Sequence, residues 1–255
     1  MGKIILVGAN HAGTAAANTI LDNYPGNELV IYDRNDNISY LGCGTALWVG
    51  RQIDGYEKLF YATKDTFEAK KAKVHMETEI TAVDFDAKKV SGKDRNGVEI
   101  CESYDKLIIA TGSLPIIPKI PGLDLEGVEY VKLFQNGQKI DRMLDDKNIK
   151  NVAVVGAGYI GVELSEAVRR RGKNVLLFEA ADTCLSTYYD EWFTHDMDRI
   201  LGENGIQLHL GETVKEIKGS GRVEAIVTGR GTFPVEMVIM AIGFRPNSTL
   251  GKGGL

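Results

Sequence analysis

Cysteine is scarce in this chain of 255 residues, and what little there is does not pair up. The three present, Cys43, Cys101 and Cys184, are widely spaced and include no CxxC. An odd, scattered set argues against a disulfide framework or a zinc site and points to a reducing, cytoplasmic setting. Histidine is equally thin at four residues, none at ligand spacing from another, so no metal site is expected. Missing too is any apolar run near the roughly 18 residues needed to span a bilayer. No signal peptide is legible ahead of the first strand residues. Nor is there a basic excess: the formal net charge is -5, whereas a nucleic-acid binder normally shows a basic face. The basic clusters KKAK at 70–73 and RRRGK at 169–173 therefore read as solvated helix ends. Neither nucleic acid nor a membrane is expected as a partner.

What is present occurs twice. The first half offers a strand KIILV at 3–7, a glycine turn over 8–13, a helix to about Tyr24, and a strand ELVIY at 28–32 that ends on Asp33. The second half offers NVAVV at 151–155, then Gly156, Gly158 and Gly161, a helix to about Arg171, and NVLLF at 174–178 ending on Glu179. Each half closes with another apolar strand, DKLIIATG at 105–112 and EMVIMAIG at 236–243, followed by proline. Between these strands each half carries an antiparallel hairpin signal. Continuous apolar runs suit parallel strands covered on both faces. The pattern predicts an α/β protein with two tandem Rossmann-like dinucleotide-binding domains, each with an antiparallel insertion.

The chemistry is easiest to read in GAGYIG at 156–161. Glycines let the backbone approach a pyrophosphate, which then rests on a helix N-terminus. Glu179, about 20 residues on, is placed to accept from both ribose hydroxyls. Such an acid repels a 2′-phosphate, and no arginine follows in EAADTC, so the expected coenzyme is NAD(H) rather than NADP(H). The plainer reading of Glu179 is a solvated strand end. Asp33 can serve a ribose in the first half, where Asn10 replaces the middle glycine and adds a side chain at the pyrophosphate approach. Two dinucleotide sites in one chain suggest cofactors that exchange electrons, and FAD is the expected partner of NAD.

Two residues stand apart from this framework. Cys43, flanked by Gly42 and Gly44, precedes a helix beginning in TALWVG, where a thiol is held toward its thiolate; the alternative is a buried structural cysteine. His11 opens the helix after the first glycine turn and on the residues alone reads equally as a capping or packing residue. Cys101 and Cys184 read as structural, His75, His195 and His209 as surface or core residues, and Trp48 as packing behind the Cys43 helix.

GANHAG (8–13), Asp33, SYLGCG (39–44), ATGSLP (110–115), GAGYIG with Glu179, and GFRPN (243–247) occur in an order that resembles the flavin-dependent NADH oxidase and NADH peroxidase family. These are disulfide reductase-like flavoproteins with two dinucleotide-binding domains. ANHAGTAA and LGCGTALWVG look most like the water-forming oxidases. The likeness runs over essentially the whole chain. It implies an acid/base role for His11 and a thiolate/sulfenic acid cycle at Cys43. For FAD it implies contacts from Gly8, Ala9, Asn10, His11, Ala12, Gly13, Asp33, Arg34, Cys43, Val83, Ala110, Thr111, Gly112, Ser113 and Lys132. For NADH it implies Gly156, Gly158, Ile160, Gly161, Glu179, Tyr188 and Gly243, with Tyr159 as a gate.

The resemblance further implies an FAD-dependent enzyme that reduces O2 to water with NADH. The alternatives are an NADH peroxidase acting on H2O2, a coenzyme A-disulfide or persulfide reductase, which usually lacks the histidine, and a non-catalytic redox-sensing flavoprotein. The implied division is an FAD-binding segment at 1–118, an NADH-binding domain at 119–245, and at 246–255 the start of a return into the first domain. In the resembled family that return and a dimerisation domain follow. The chain is therefore expected to be the N-terminal part of a homodimeric parent.

Overall fold

The computed structural model describes residues 2–253; Met1, Gly254 and Leu255, the last two from the expected return segment, lie outside the described residues. The chain divides into two compact units. The first comprises Met1–Leu41, Glu57–Leu114 and Pro246–Leu255, and the second Gly42–Tyr56 and Pro115–Arg245.

The first unit is built on four parallel strands in the order Lys73–His75, Glu28–Tyr32, Lys3–Val7, Lys106–Ile109. Side chains alternate across a strand, so an unbroken apolar run needs cover on both sides. It has that cover. Ile4, Leu6, Leu29 and Ile31 pack with Ala17, Ile20 and Phe67 on one face. Ile5, Val7, Val30 and Tyr32 pack with Ile80, Val90 and Tyr104 on the other. Ile80 and Val90 come from the antiparallel sheet Thr78–Asp84, Lys89–Asp94, Glu99–Ser103, which matches the hairpin read from the sequence.

The second unit repeats this with five parallel strands in the order Ile206–His209, Asn174–Phe178, Asn151–Val155, Met237–Met240, Val128–Tyr130. Ala153, Val155, Leu176, Phe178 and Val238 pack against Ile217 and Ile226 from the antiparallel sheet Val214–Lys218, Ala225–Thr228, Thr232–Pro234. The helix Tyr159–Arg170 packs on Asn151–Val155 and Asn174–Phe178.

The closing strands are shorter than their apolar text, at Lys106–Ile109 and Met237–Met240. In each unit the carbonyl of the alanine after them, Ala110 or Ala241, lies against the first glycine of the turn. The stretch TALWVG gives only a five-residue helix, Thr45–Val49, preceded by the 3-10 turn Gly42–Gly44. Among the described residues no helix is long and apolar enough to cross a membrane, and no cluster of His, Cys, Asp and Glu could hold a metal ion.

Candidate dinucleotide sites and the histidine and cysteine beside them

Both glycine turns are built by the same contacts. Gly8 and Gly156 have φ of 99° and 100°, a region that disfavours any side chain. A Cβ there would lie 2.3 Å from the Ala110 carbonyl oxygen and 2.5 Å from that of Ala241. Gly13 and Gly161 sit in the following helices with no room either, a Cβ falling 1.8 Å from the Gly8 and Gly156 oxygens respectively. The middle position differs. Asn10 (φ -87°) and Gly158 (φ -73°) are both extended N-caps, and a Cβ on Gly158 meets nothing nearer than the Tyr188 ring at 3.8 Å. First and third glycines serve the fold, and the middle one leaves open space.

Neither helix end is closed. His11–Asn23 and Tyr159–Arg170 lack a side-chain cap bond and an acidic residue in the first turn. Their leading N–H groups therefore stay available to an anion. By contrast, Lys64–Glu68 is capped by Thr63 and has Asp65 in its first turn.

The two acids at the strand ends do more than the sequence suggested. Asp33 is buried; its Oδ2 accepts the Ala9 N–H at 2.6 Å and its Oδ1 the Asn35 N–H at 2.8 Å. Glu179 repeats this, with Oε2 accepting from Ala157 at 2.7 Å and Oε1 from Ala181 at 2.9 Å. Each acid thus staples its own glycine turn. Burial pushes the Asp33 carboxyl above the usual range, against the pull of the N–H groups of Asn35 and Ala9. The match continues one strand further. Asp33 N–H donates to the His75 carbonyl and Glu179 N–H to the His209 carbonyl, each at 3.0 Å. The imidazoles stack on Tyr32 and Phe178, with centroids 4.9 and 4.4 Å away. His209 also bonds the buried Glu212 at 3.1 Å, a neighbour the sequence reading overlooked.

The first unit gathers residues 8–13, Asp33, Arg34, Val83, Ala110, Thr111, Gly112 and Ser113. His11 is its first helical residue and is exposed. Arg34 faces Glu79 at 3.8 Å, and Thr111 Oγ1 donates to the Asn247 carbonyl at 2.6 Å. The second unit gathers Gly156, Gly158, Tyr159, Ile160, Gly161, Glu179, Tyr188 and Gly243, and with them Cys43 and Lys132. Tyr159 packs on Tyr188 at 4.5 Å, and its hydroxyl bonds that of Tyr189 at 2.7 Å. Lys132 lies 5.1 Å over the Phe244 ring, and burial holds its ammonium below the usual lysine range.

Cys43 and, against the structural reading, Cys101 are exposed, and only Cys184 is buried; burial drives its thiol far up. Cys43 lies inside the Gly42–Gly44 turn rather than at the mouth of a long helix. The segment Gly42–Tyr56 is bolted to its own unit. Trp48 stacks on Phe134 with centroids 5.7 Å apart. Gly50 sits so near the helix Tyr159–Arg170 that a Cβ would lie 3.0 Å from Ala167 Cα. Arg171, itself buried, donates to the Val49 carbonyl at 2.8 Å and to Asp141 at 2.7 Å.

Residues 2–255 match the family of pyridine nucleotide-disulphide oxidoreductases. The chain belongs to that family. As such an oxidoreductase it is 54% identical over 255 residues to an NADH oxidase of Lactococcus lactis subsp. cremoris, the match taking in 99% of this chain and 57% of the relative. An NADH oxidase of Streptococcus pyogenes is 52% identical, with 99% and 58% covered. Among solved structures, the water-forming NADH oxidase from Lactobacillus brevis bound to NADH superposes with a TM-score of 0.95 at 38% identity, over 99% of this chain and 56% of that one. This oxidoreductase chain therefore spans little more than half the length of the relatives it matches.

One member of the candidate site escaped the sequence reading altogether. Tyr61 touches His11, with 3.1 Å between its hydroxyl and Nδ1. Fifty positions separate the two, and no motif spacing could have joined them.

Proposed function

We propose that the chain is the cofactor-binding portion of an FAD-dependent NADH oxidase that reduces O2 to water. The observation that carries this is an exposed thiol, Cys43, without a second cysteine near it in sequence, in a chain whose two glycine turns both present uncapped helix ends. A dithiol reductase needs two cysteines; a peroxide-reducing thiolate needs one. The names and high identity of the relatives support the oxidase over the peroxidase reading.

The residues fit two dinucleotides. The turn at 8–13 with Asp33 and Arg34 would hold FAD, joined by Val83 and the 110–113 segment. The turn at 156–161 with Glu179, Tyr188 and Gly243 would hold NADH, with Tyr159 covering the entrance. Bound FAD supplies the passage of electrons from NADH to oxygen. The chain's own residues then complete the reduction. Cys43 thiolate attacks the O–O bond of the peroxide: the S–O bond forms, the O–O bond breaks, and the departing oxygen takes a proton from His11 and leaves as water. The resulting sulfenic acid is the first rung of the cysteine oxidation ladder. Two electrons from a second NADH, with one proton, return it to thiolate and release the second water.

Oxygen uptake with limiting NADH tests the proposal, using FAD-reconstituted chain and its full-length parent. Uptake with no oxygen returned on adding catalase supports water formation. Oxygen returned by catalase would sink the role given to Cys43, and NADH oxidation only with added peroxide would identify a peroxidase. The parent is proposed to be a cytoplasmic homodimer, to be checked by its sedimentation.

A further inference from the structure

Tyr61 lies beside His11 in more than one respect. Its hydroxyl is 3.1 Å from Nδ1, and the two rings run parallel within 11° at a centroid separation of 5.9 Å. The pair is aligned rather than merely adjacent. What fixes Tyr61 there is Ser39, a fully buried residue with φ of 62°. Ser39 Oγ accepts the N–H groups of Tyr61 at 3.0 Å and Ala62 at 2.8 Å, and donates to the Ala62 carbonyl at 2.8 Å. Its own N–H donates to the carbonyl of Ala9 at 3.2 Å, inside the glycine turn that launches the His11 helix. Next to it, Tyr40 bridges antiparallel to Phe60, and the Leu41 N–H donates to the Leu59 carbonyl at 2.7 Å. The backbone that carries Tyr61 is therefore tied to the backbone that carries His11.

The chemistry of the contact has a direction. A neutral imidazole offers one accepting and one donating nitrogen, and a phenol O–H is a donor that suits the accepting one. The bond made at one ring nitrogen decides which nitrogen bears the proton. We infer that Tyr61 is the positioning residue of His11: its hydroxyl donates to Nδ1, its ring sets the imidazole plane, and Nε2 keeps the proton. The contact leaves Nε2–H as the group's donor. The use made of that donor, protonating a departing oxygen, rests on the oxidase reading above.

The tautomer can be read without turnover. Two-bond proton–nitrogen correlation spectra of the nitrogen-15-labelled chain, recorded at about pH 8 where an ordinary imidazole is neutral, distinguish a protonated from an accepting ring nitrogen. His11→Gln identifies the His11 signals among the four histidines. We expect an accepting Nδ1 and a protonated Nε2 in the native chain. In Tyr61→Phe, which keeps the ring, the His11 nitrogens should shift toward a mixture of tautomers while His75, His195 and His209 stay in place. His11 signals identical in the two proteins, or a native Nδ1–H, would overturn the inference. In the oxygen electrode, Tyr61→Phe should lower kcat about fivefold, the worth of one hydrogen bond, with KM for NADH unchanged. A native chain that shows the tautomer response yet consumes no oxygen would sink the oxidase reading and leave Tyr61 as the partner of His11.

Discussion

Asn10 and Gly158 hold equivalent places in their glycine turns with equivalent backbone, both extended with negative φ. Any residue can adopt that conformation, so a glycine there serves whatever approaches the turn from outside. The flanking glycines answer to a different demand. We expect Asn10→Gly to change stability by less than about 1 kcal/mol in urea unfolding. Gly13→Ala puts a methyl 1.8 Å from the Gly8 oxygen and should cost about 3 kcal/mol or more. Cys43 is argued at this scale too. Cys43→Ser removes the proposed nucleophile but leaves the turn, so on the oxidase reading the FAD-loaded protein should still consume oxygen and now release hydrogen peroxide; catalase would then return part of the oxygen. A Ser variant that makes only water would rule out the cysteine step. The glycines and both acids were legible because their spacing follows from local geometry, whereas His11 and Cys43 stood out through the family resemblance. Ser39 and Tyr61 were not, because a buried serine and a surface tyrosine 22 positions apart carry no periodic signal.

At the scale of elements, the short helix Thr45–Val49 depends on what lies outside it. A five-residue helix closes little more than one turn, and most helical stability comes from packing. Here that packing includes Trp48 on Phe134 and the close approach of Gly50 to Ala167. Arg171 adds a polar clamp, binding the Val49 carbonyl and both Asp141 and Asp145. Arg171→Met strips the half-buried Asp141 carboxylate of one of its two arginine partners, although Arg51 still reaches it at 2.8 Å. We expect a loss of roughly 2 kcal/mol by urea unfolding, together with altered alkylation rates at Cys43, because the turn that carries the thiol is continuous with the clamped helix. The sequence showed the apolar helix text but not its brevity. Three-residue strands such as Lys73–His75 were equally hidden, since they are too short to establish a period of two.

Across the whole molecule the repeat extends well past the glycines. Acid, following strand, histidine and stacked aromatic recur at matching places in both units. The parallel sheets with their antiparallel insertions were readable in the order of apolar runs and turns, because order along the chain is what fixes topology in such folds. The second unit carries a particular acid sensitivity. Burial pushes the Glu212 carboxyl up, but bonds from Thr228 and His209 and the charge of Arg230 outweigh this and leave it below the usual range. A carboxyl lowered by folding contributes stability that is full above its unfolded value, about 4.5, and lost as the pH falls through the folded one. Glu212→Gln should therefore flatten the decline in stability below about pH 4.5, measured as urea midpoint against pH. Ligand binding works in the opposite direction. FAD or NADH present at about 100 times its Kd should each raise stability by about 2.7 kcal/mol, seen as a higher thermal midpoint.

The staple made by Glu179 bears on any redesign of coenzyme preference. If Glu179 reads the ribose as proposed, replacing it with a neutral or basic residue is the direct way to admit an extra phosphate there. Yet both carboxylate oxygens already hold backbone N–H groups, those of Ala157 and Ala181. The swap would leave two donors unmet at the lip of the turn, each worth about 1–3 kcal/mol if it stays out of water. On the proposed NADH reading, selectivity and loop rigidity share one side chain, so a variant that relaxes the first must bring its own acceptors for the second.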